Sequence, residues 1–166
     1  MLFRSRGSGG DWRAEANRLL GELEIAAILG SPRMRHDASQ GFPDGSAGSG
    51  DFDAALPILA AGCRRVAEAG AALGIRTLVE NHGFFCQDSD RVERLAHRVD
   101  HPNFGLLVDI GNFLCADESP EAAVGRVASL AAHVHAKDFH VKPAEGPDPG
   151  RDWFRSRGGQ YLRGAI

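Results

Sequence analysis

The sequence predicts an α/β fold of about four βα units with parallel strands. Short apolar runs alternate along the chain with amphipathic helical segments, and short connections join them, which is typical of parallel strands linked by right-handed crossovers. Three of the runs also end abruptly in residues that can bind a metal or move a proton. These runs are Thr77–Gly83, Leu106–Asn112 and Ala132–Asp138. Because ligands gather at the carboxyl ends of parallel strands, the three runs predict one shared site.

Composition narrows the class of protein. The chain has 166 residues, of which 43% are hydrophobic, so it can form one domain with its own core. A net charge of −3 with interspersed signs gives no electrostatic footprint for nucleic acid. Three cysteines without a CxxC pair indicate free thiols in a reducing compartment. Neither a signal-peptide core nor an apolar run of roughly 20 residues is visible. We therefore expect a cytoplasmic protein with no membrane or nucleic-acid partner.

The first element is predicted to be a helix. Residues 1–10 are rich in Gly, Ser and Arg, and we expect a flexible N-terminus there. From Asp11 to about Gly30 the apolar residues recur at helical spacing, with Asp11 as the cap and Gly30 as the stop. Residues 32–37 then read as a short strand that ends in polar groups.

A long polar segment separates this strand from the second helix. Residues 38–50 are rich in Gly, Ser and Asp, which predicts either a functional excursion or a disordered insert. Asp51 or Asp53 can cap the helix that follows, and that helix runs to about Leu73. Residues 75–80 form the next predicted strand.

The alternation continues through the rest of the chain. The predicted elements are a helix from Ser89 to about Val99 capped by Asp88 or Ser89, a strand over 104–109, a helix from Pro120 to about Ala131 and a strand over 132–137. The segment from Phe139 to Ile166 is rich in Gly, Pro and Arg, and predicts a long loop over a binding face. Four strands make an open sheet or half of a (β/α)8 barrel, which needs roughly 250 residues.

The strand ends carry the chemistry. Glu80, Asp109 and His135 form a mixed oxygen and nitrogen ligand set that suits a divalent ion such as Mn²⁺, Co²⁺, Zn²⁺ or Mg²⁺. Such an ion polarises a carbonyl and acidifies the neighbouring C–H, and a carboxylate beside it can then move the proton. His133 would share a strand face with His135, so either histidine can be the ligand. We favour His135 because it lies nearer the carboxyl end.

Further charged or imidazole side chains near strand ends or on the late segment are predicted to contact the substrate: His36, His82, Lys137, Arg155 and Arg157. A lysine beside the site could neutralise a developing oxyanion, and an arginine could bind an anionic or hydroxylated substrate end. Each residue alone also fits a structural role, since single carboxylates often cap helices and single histidines often pack in cores. Three ligands at equivalent strand ends favour the functional interpretation.

The motifs together resemble those of a known family, the sugar phosphate isomerase/epimerase family of xylose isomerase-like TIM barrels. The matching runs are Glu80–Gly83, Val108–Phe113, His133–Asp138, Arg33–Asp37 and Arg157–Gly164. The resemblance covers nearly all of the chain from about Asp11. It implies a partial (β/α)8 barrel over residues 11–166. It also implies a divalent ion held by Glu80, Asp109, His135 and a second glutamate from the final strand.

The resemblance also implies an activity. It points to metal-dependent isomerisation or epimerisation of a sugar or sugar phosphate through an enediolate, with Glu80 as an acid/base, and it leaves room for a homo-oligomer. The chain departs from the family pattern because the first strands and the final-strand glutamate are missing before Ile166. Asn112 stands where some epimerases have a substrate-binding histidine. The alternatives are a truncated, catalytically incomplete fragment of such an enzyme and an apurinic endonuclease-like hydrolase.

Overall fold

The computed structural model describes residues 11–39, 52–83 and 85–165. The predictions for residues 1–10 and for most of the loop over 38–50 fall outside these ranges. The described elements are α1 (Trp12–Ile28), β1 (Arg33–His36), α2 (Phe52–Ala72), β2 (Arg76–Glu80), α3 (Ser89–Val99), β3 (Phe104–Asp109), α4 (Pro120–Val127), β4 (Ala131–His135), β5 (Asp138–Lys142), β6 (Phe154–Arg155) and β7 (Tyr161–Ala165). Short 3₁₀ turns span Gly111–Ala116 and Ala128–Leu130.

The first four strands form one parallel sheet in the order β1-β2-β3-β4, which confirms the predicted α/β class. The register brings the carboxyl ends of β2, β3 and β4 to the same edge. Glu80 is paired with Leu107, and Asp109 is paired with His135. Successive strands are neighbours in space because each crossover helix returns the chain to the adjacent position.

Local sequence signals account for the helix ends. The carboxylate of Asp11 accepts a hydrogen bond from the backbone N–H of Arg13, and Asp88 caps α3 in the same way through Arg91. At the other end of α3, Asp100 adopts a left-handed conformation with φ of 44°. This conformation ends the helix and turns the chain toward β3.

The helices cover one face of the parallel sheet and form the main core with it. On β2 and β3, alternate residues such as Val79, Leu106 and Val108 point into this core, whereas Leu78 and Leu107 lie on the opposite face with the ligands. Fully buried leucines come from each of the first three helices: Leu19, Leu59 and Leu95. Burying each such side chain contributes about 1.5–3 kcal/mol. None of the described helices has the length and apolar character needed to cross a membrane.

The prediction of a long loop over residues 139–166 is wrong, because this segment contains an antiparallel sheet in the order β5-β7-β6. Its core is small: Phe139 and Leu162 pack with Cys115 from the 3₁₀ turn after β3. Residues 138–142 alternate between polar and apolar side chains, which is the pattern of a strand with one buried face. The high content of Gly, Pro and Arg in the connections obscured that alternation.

Candidate metal centre

Glu80, Asp109 and His135 meet at the carboxyl edge of the parallel sheet. One ligand atom from each of the three side chains lies within 4.8 Å of the other two. The Nδ1 atom of His135 is 3.9 Å from Glu80 Oε1 and 3.9 Å from Asp109 Oδ2. The sheet creates this cluster because the three residues close neighbouring strands and share one face. The structure therefore brings together the three predicted ligands.

Burial makes this edge a favourable place for a cation. The two carboxylates are nearly buried, whereas the His135 side chain is 48% exposed and leaves the cluster open to solvent. Burial raises the pKa of Asp109, and the nearby charge of Glu80 raises it further, while the Asn112 N–H and Lys137 act in the opposite direction. Two carboxylates held this close favour a bound positive charge.

Asn112 connects the two carboxylates to Lys137. Its side-chain Nδ2 donates to Glu80 Oε1 at 3.2 Å, and its backbone N–H donates to Asp109 Oδ1 at 3.1 Å. Lys137 Nζ donates to the side-chain Oδ1 of Asn112 at 2.8 Å and lies 4.0 Å from Asp109 Oδ2. Partners of this kind fix the orientation of metal ligands. The structure thus places the predicted substrate contact Lys137 beside the ligand cluster.

Asn81 fixes the two strand ends relative to each other. Its side-chain Nδ2 donates to the carbonyl oxygen of Asp109 at 2.9 Å, and the backbone N–H of Asp109 donates to Asn81 Oδ1 at 2.7 Å. This pair of bonds continues the pairing of β2 and β3 beyond the last ladder residues. The backbone beneath both carboxylates is therefore rigid.

A second group of charged side chains adjoins Glu80. Arg35 Nε donates to Glu80 Oε2 at 2.6 Å, and its guanidinium also lies 2.9 Å from Asp37 Oδ1. Asp37 in turn lies 3.2 Å from His82 Nδ1. The hydrogen bond to Asp37 raises the pKa of His82. Burial acts to raise the pKa of Asp37, but the His82 hydrogen bond and the Arg35 charge outweigh it and lower that pKa.

Arg35 and Asp37 were not among the predicted site residues. The alternation in β1 could have identified Arg35, because Met34 and His36 are buried while Arg33 and Arg35 are exposed. Arg35 therefore projects from the sheet face that Glu80 shares. Its pairing with Glu80, 45 residues away, is a tertiary contact that local sequence cannot predict.

The two histidines of β4 occupy different levels on one sheet face. His135 is in register with Asp109, whereas His133 is in register with Leu107, one step further from the carboxyl edge. Their rings meet edge to face with centroids 5.4 Å apart. The three-residue cluster includes His135 and not His133, so the geometry agrees with the preference for His135.

His36 lies apart from the cluster. It alternates with Arg35 along β1 and is buried together with Met34 on the helix-covered face. Burial lowers its pKa to about 4, and the charge of Arg18 on α1 contributes in the same direction. Adjacent residues of a strand point to opposite faces, so the structure does not bring His36 to Glu80.

Arg155 and Arg157 make contacts within and beside the antiparallel sheet. The Arg155 guanidinium lies 3.5 Å from the centre of the Tyr161 ring and donates to the carbonyl of Ala144 at 3.1 Å. Arg157 pairs with Asp88 Oδ2 at 2.9 Å, and its backbone N–H donates to the Cys115 carbonyl at 2.8 Å. These contacts support the small sheet. Substrate binding by either arginine stays a prediction.

The donor set fits a divalent ion. Two carboxylate oxygens and one imidazole nitrogen suit Mg²⁺, Mn²⁺, Co²⁺ or Zn²⁺, and three protein ligands leave positions open for substrate oxygens. His82 and Lys137 flank the three ligands, and both side chains are partly exposed. The arrangement can therefore hold an ion and present donors to a polar molecule bound beside it.

Comparison with known proteins assigns the fold. Residues 7–160 match the family model described as xylose isomerase-like TIM barrel. A xylose isomerase-like TIM barrel protein from Mycobacterium smegmatis, solved in complex with magnesium, superposes with a TM-score of 0.70 at 15% identity over 97% of this chain and 54% of that chain. A xylose isomerase domain protein from Planctomyces limnophilus gives a TM-score of 0.68 at 18% identity over 92% and 49% of the two chains.

A curated relative is similar in sequence. The inosose dehydratase of Clostridium beijerinckii is 27% identical over 89 residues, which is 53% of this chain and 30% of that protein. The chain spans about half the length of the solved structures that it matches. Its four parallel strands are part of a (β/α)8 barrel, as predicted. The chain belongs to the xylose isomerase-like TIM barrel family.

Proposed function

We propose that the chain carries the metal centre of an enzyme that isomerises or epimerises a sugar or sugar phosphate. The observation that carries the proposal is the convergence of Glu80, Asp109 and His135 within 4.8 Å at the carboxyl edge of the sheet. Active sites of this barrel fold lie at that edge. A divalent ion bound there would polarise two adjacent substrate oxygens and acidify the C–H next to the carbonyl.

Each residue of the site has a role in the proton transfer. Glu80 accepts the proton from the carbon beside the carbonyl, and the electron pair moves to the carbonyl oxygen to give an enediolate. Arg35 holds the Glu80 carboxylate through Oε2. Lys137, held by Asn112, donates to the substrate oxygen that becomes negative. Return of the proton to the neighbouring carbon gives the isomer, and delivery to the opposite face gives the epimer.

His82 serves as a substrate contact in this proposal. Asp37 accepts from Nδ1 of its ring, which leaves Nε2 directed away from that carboxylate, and the side chain is 45% exposed. A partly exposed ring with one fixed nitrogen can bind a substrate hydroxyl at low entropic cost. This arrangement supports a hydroxylated substrate.

Dehydration is the second candidate reaction. The similarity to an inosose dehydratase favours it. Dehydration next to a carbonyl shares the first step, since Glu80 removes the same type of proton, but the hydroxyl group on the adjacent carbon then leaves and takes up that proton from Glu80 to form water. The two reactions therefore differ in their products and not in the residues that start them.

Exchange of substrate hydrogen with solvent tests the shared first step. The chain is incubated in D₂O with Mg²⁺ or Mn²⁺ and a panel of ketoses and ketose phosphates, and deuterium beside the carbonyl is followed by NMR. Glu80→Gln should lower the exchange rate by about 100-fold or more, which is the usual contribution of a general base. An isomer or epimer identifies the first reaction, and a product lacking water identifies the second.

Glu68→Gln is the matched control, because Glu68 is an exposed glutamate on α2 that pairs with Arg64 at 3.2 Å. It should exchange at the wild-type rate. Exchange no faster than in metal alone, or equal rates in Glu80→Gln and the wild type, would contradict the proposal. Metal-dependent cleavage of abasic-site DNA without exchange would instead favour the apurinic endonuclease-like hydrolase.

A further inference from the structure

One face of the antiparallel sheet carries several basic side chains. His140 on β5 is directly opposite Arg163 on β7, and Lys142 is opposite Tyr161, two residues from Arg163. Directly opposed residues on neighbouring strands point to the same face, and diagonal neighbours remain within reach of long side chains. His140, Lys142 and Arg163 are all exposed. The sheet therefore concentrates basic groups at one place on its surface.

Trp153 holds two of these groups in position. Lys142 Nζ lies 4.8 Å and the Arg163 guanidinium carbon 5.1 Å from the centre of the Trp153 ring. The negative face of an indole attracts cations without removing their charge. A cavity of about 400 Å³ opens beside this ring, and it is lined by His140, Val141, Lys142, Pro149, Trp153 and Arg163.

None of the six residues that line this cavity is acidic, in a chain whose net charge is −3. Within the described ranges, neither Lys142 nor Arg163 forms an ion pair with a carboxylate. A bound anion would balance the charges of Lys142 and Arg163.

We propose that His140, Lys142, Trp153 and Arg163 form a binding site for a phosphate-type oxyanion, either free phosphate or the phosphate group of a small metabolite. Phosphate oxygens accept hydrogen bonds from ammonium and guanidinium groups, and two such donors beside one cavity can bind a dianion together. The cavity is lined by none of the three metal-centre residues Glu80, Asp109 and His135. The site is therefore separate from the metal centre, and it does not depend on the proposed sugar chemistry.

The fluorescence of Trp153 reports binding directly. The chain has two tryptophans, so Trp12→Phe leaves Trp153 as the single tryptophan, which is excited selectively over Tyr161. This variant is titrated with inorganic phosphate, with a sugar phosphate and with the parent sugar, at constant ionic strength set by sodium chloride. We expect a saturable change with inorganic phosphate, and with the sugar phosphate if the phosphate of a metabolite is the natural occupant. The parent sugar should produce none.

Variants locate the site. Added to Trp12→Phe, Lys142→Met and Arg163→Met should each weaken apparent phosphate affinity at least about tenfold, because each removes one charge-assisted donor. Arg13→Met removes an exposed cation at the start of α1 and should leave the affinity unchanged. Glu80→Ala should also bind phosphate as before, which separates this site from the metal centre.

Two results would overturn the proposal. One is a response to phosphate that is not saturable or that chloride reproduces at equal ionic strength. The other is unchanged phosphate affinity in both Lys142→Met and Arg163→Met. Since both side chains are exposed, the variants should retain the wild-type unfolding temperature, and that measurement confirms that lost binding is not lost folding.

Discussion

The two sheets of this chain place charge in opposite ways. The parallel sheet buries two carboxylates at its carboxyl edge, on the face opposite the helices that form the main core. The antiparallel sheet has a small core around Phe139 and Leu162 and exposes basic side chains on its other face. Buried charges need fixed partners, whereas exposed charges do not. The candidate site therefore depends on the packing of the larger sheet.

Lys137 joins the two regions. It lies between β4 and β5, and it reaches back to Asn112 at the carboxyl edge of the parallel sheet. Its ammonium group also lies 4.7 Å from the centre of the Phe139 ring in the small core. The position of the small sheet therefore affects one side chain of the metal centre directly.

Two leucine truncations should give the largest difference between the sheets. Leu95 on α3 and Leu162 on β7 are both fully buried, but only Leu95 packs in the main core. Leu95→Ala should lower the free energy of unfolding by about 3 kcal/mol, within the usual range of about 2–5 kcal/mol. Leu162→Ala should lower it by less, about 2 kcal/mol, because the small core can loosen locally. Urea unfolding measures both values.

Hydrogen exchange completes this comparison. Leu162→Ala should increase amide exchange in residues 138–142 and 161–165 and leave β2 and β3 protected. Equal loss of protection in both sheets would show that they unfold as one cooperative unit.

Acid should destabilise the larger sheet through His36. Its pKa of about 4 in the folded state lies below the ordinary value of 6.5, so the unfolded chain binds the proton more tightly. The stability that His36 contributes is thus full above pH 6.5 and is lost as the pH falls toward 4, by about 3 kcal/mol in total.

The matched variants are His36→Gln and His97→Gln, since His97 is an exposed histidine on α3. Urea unfolding between pH 7.5 and 4.5 should show a shallower loss of stability in His36→Gln than in the wild type. His97→Gln should follow the wild type. An unchanged slope in His36→Gln would exclude the buried neutral imidazole as the cause.

Alanine substitutions at Gly111 and Gly125 test the junction between the two sheets. A Cβ on Gly111 would lie 2.6 Å from the carbonyl oxygen of Lys137, so Gly111→Ala should cost about 1–3 kcal/mol. A Cβ on Gly125 in α4 would meet no atom within 4 Å, and Gly125→Ala should stabilise the helix by about 0.5–1 kcal/mol. Thermal unfolding of the two variants should therefore shift in opposite directions. Stabilisation by both would mean that the junction is loose.

The sequence was sufficient where the determining signals are local. The bounds predicted for α3 and β3 agree with the structure, because Asp88 caps the helix and a continuous apolar run forms a strand buried on both faces. That Glu80, Asp109 and His135 lie close together was also predictable, since strand periodicity places them at equivalent strand ends.

Contacts between distant residues could not be predicted in this way. The pairing of Arg35 with Glu80 and the bridge from Asn112 to Glu80 and Lys137 depend on how strands and turns meet in space. That His36 lies apart from the cluster could not be predicted for a related reason. Its position near a strand end was evident, but which face it occupies depends on the register of β1, and the structure places it under the helices.

Metal binding is the most direct test of the central claim that Glu80, Asp109 and His135 form one centre. Titration calorimetry with Mn²⁺ should show one site in the wild type and more than about 100-fold weaker binding in Glu80→Ala, Asp109→Ala and His135→Ala. Asn112→Ala should weaken binding about 10–100-fold, as expected for a residue that orients a ligand. His133 lies two residues before His135 on the same strand face, so His133→Ala should bind Mn²⁺ as the wild type does. Wild-type affinity for Mn²⁺ in both Glu80→Ala and Asp109→Ala would show that these residues do not form a metal centre.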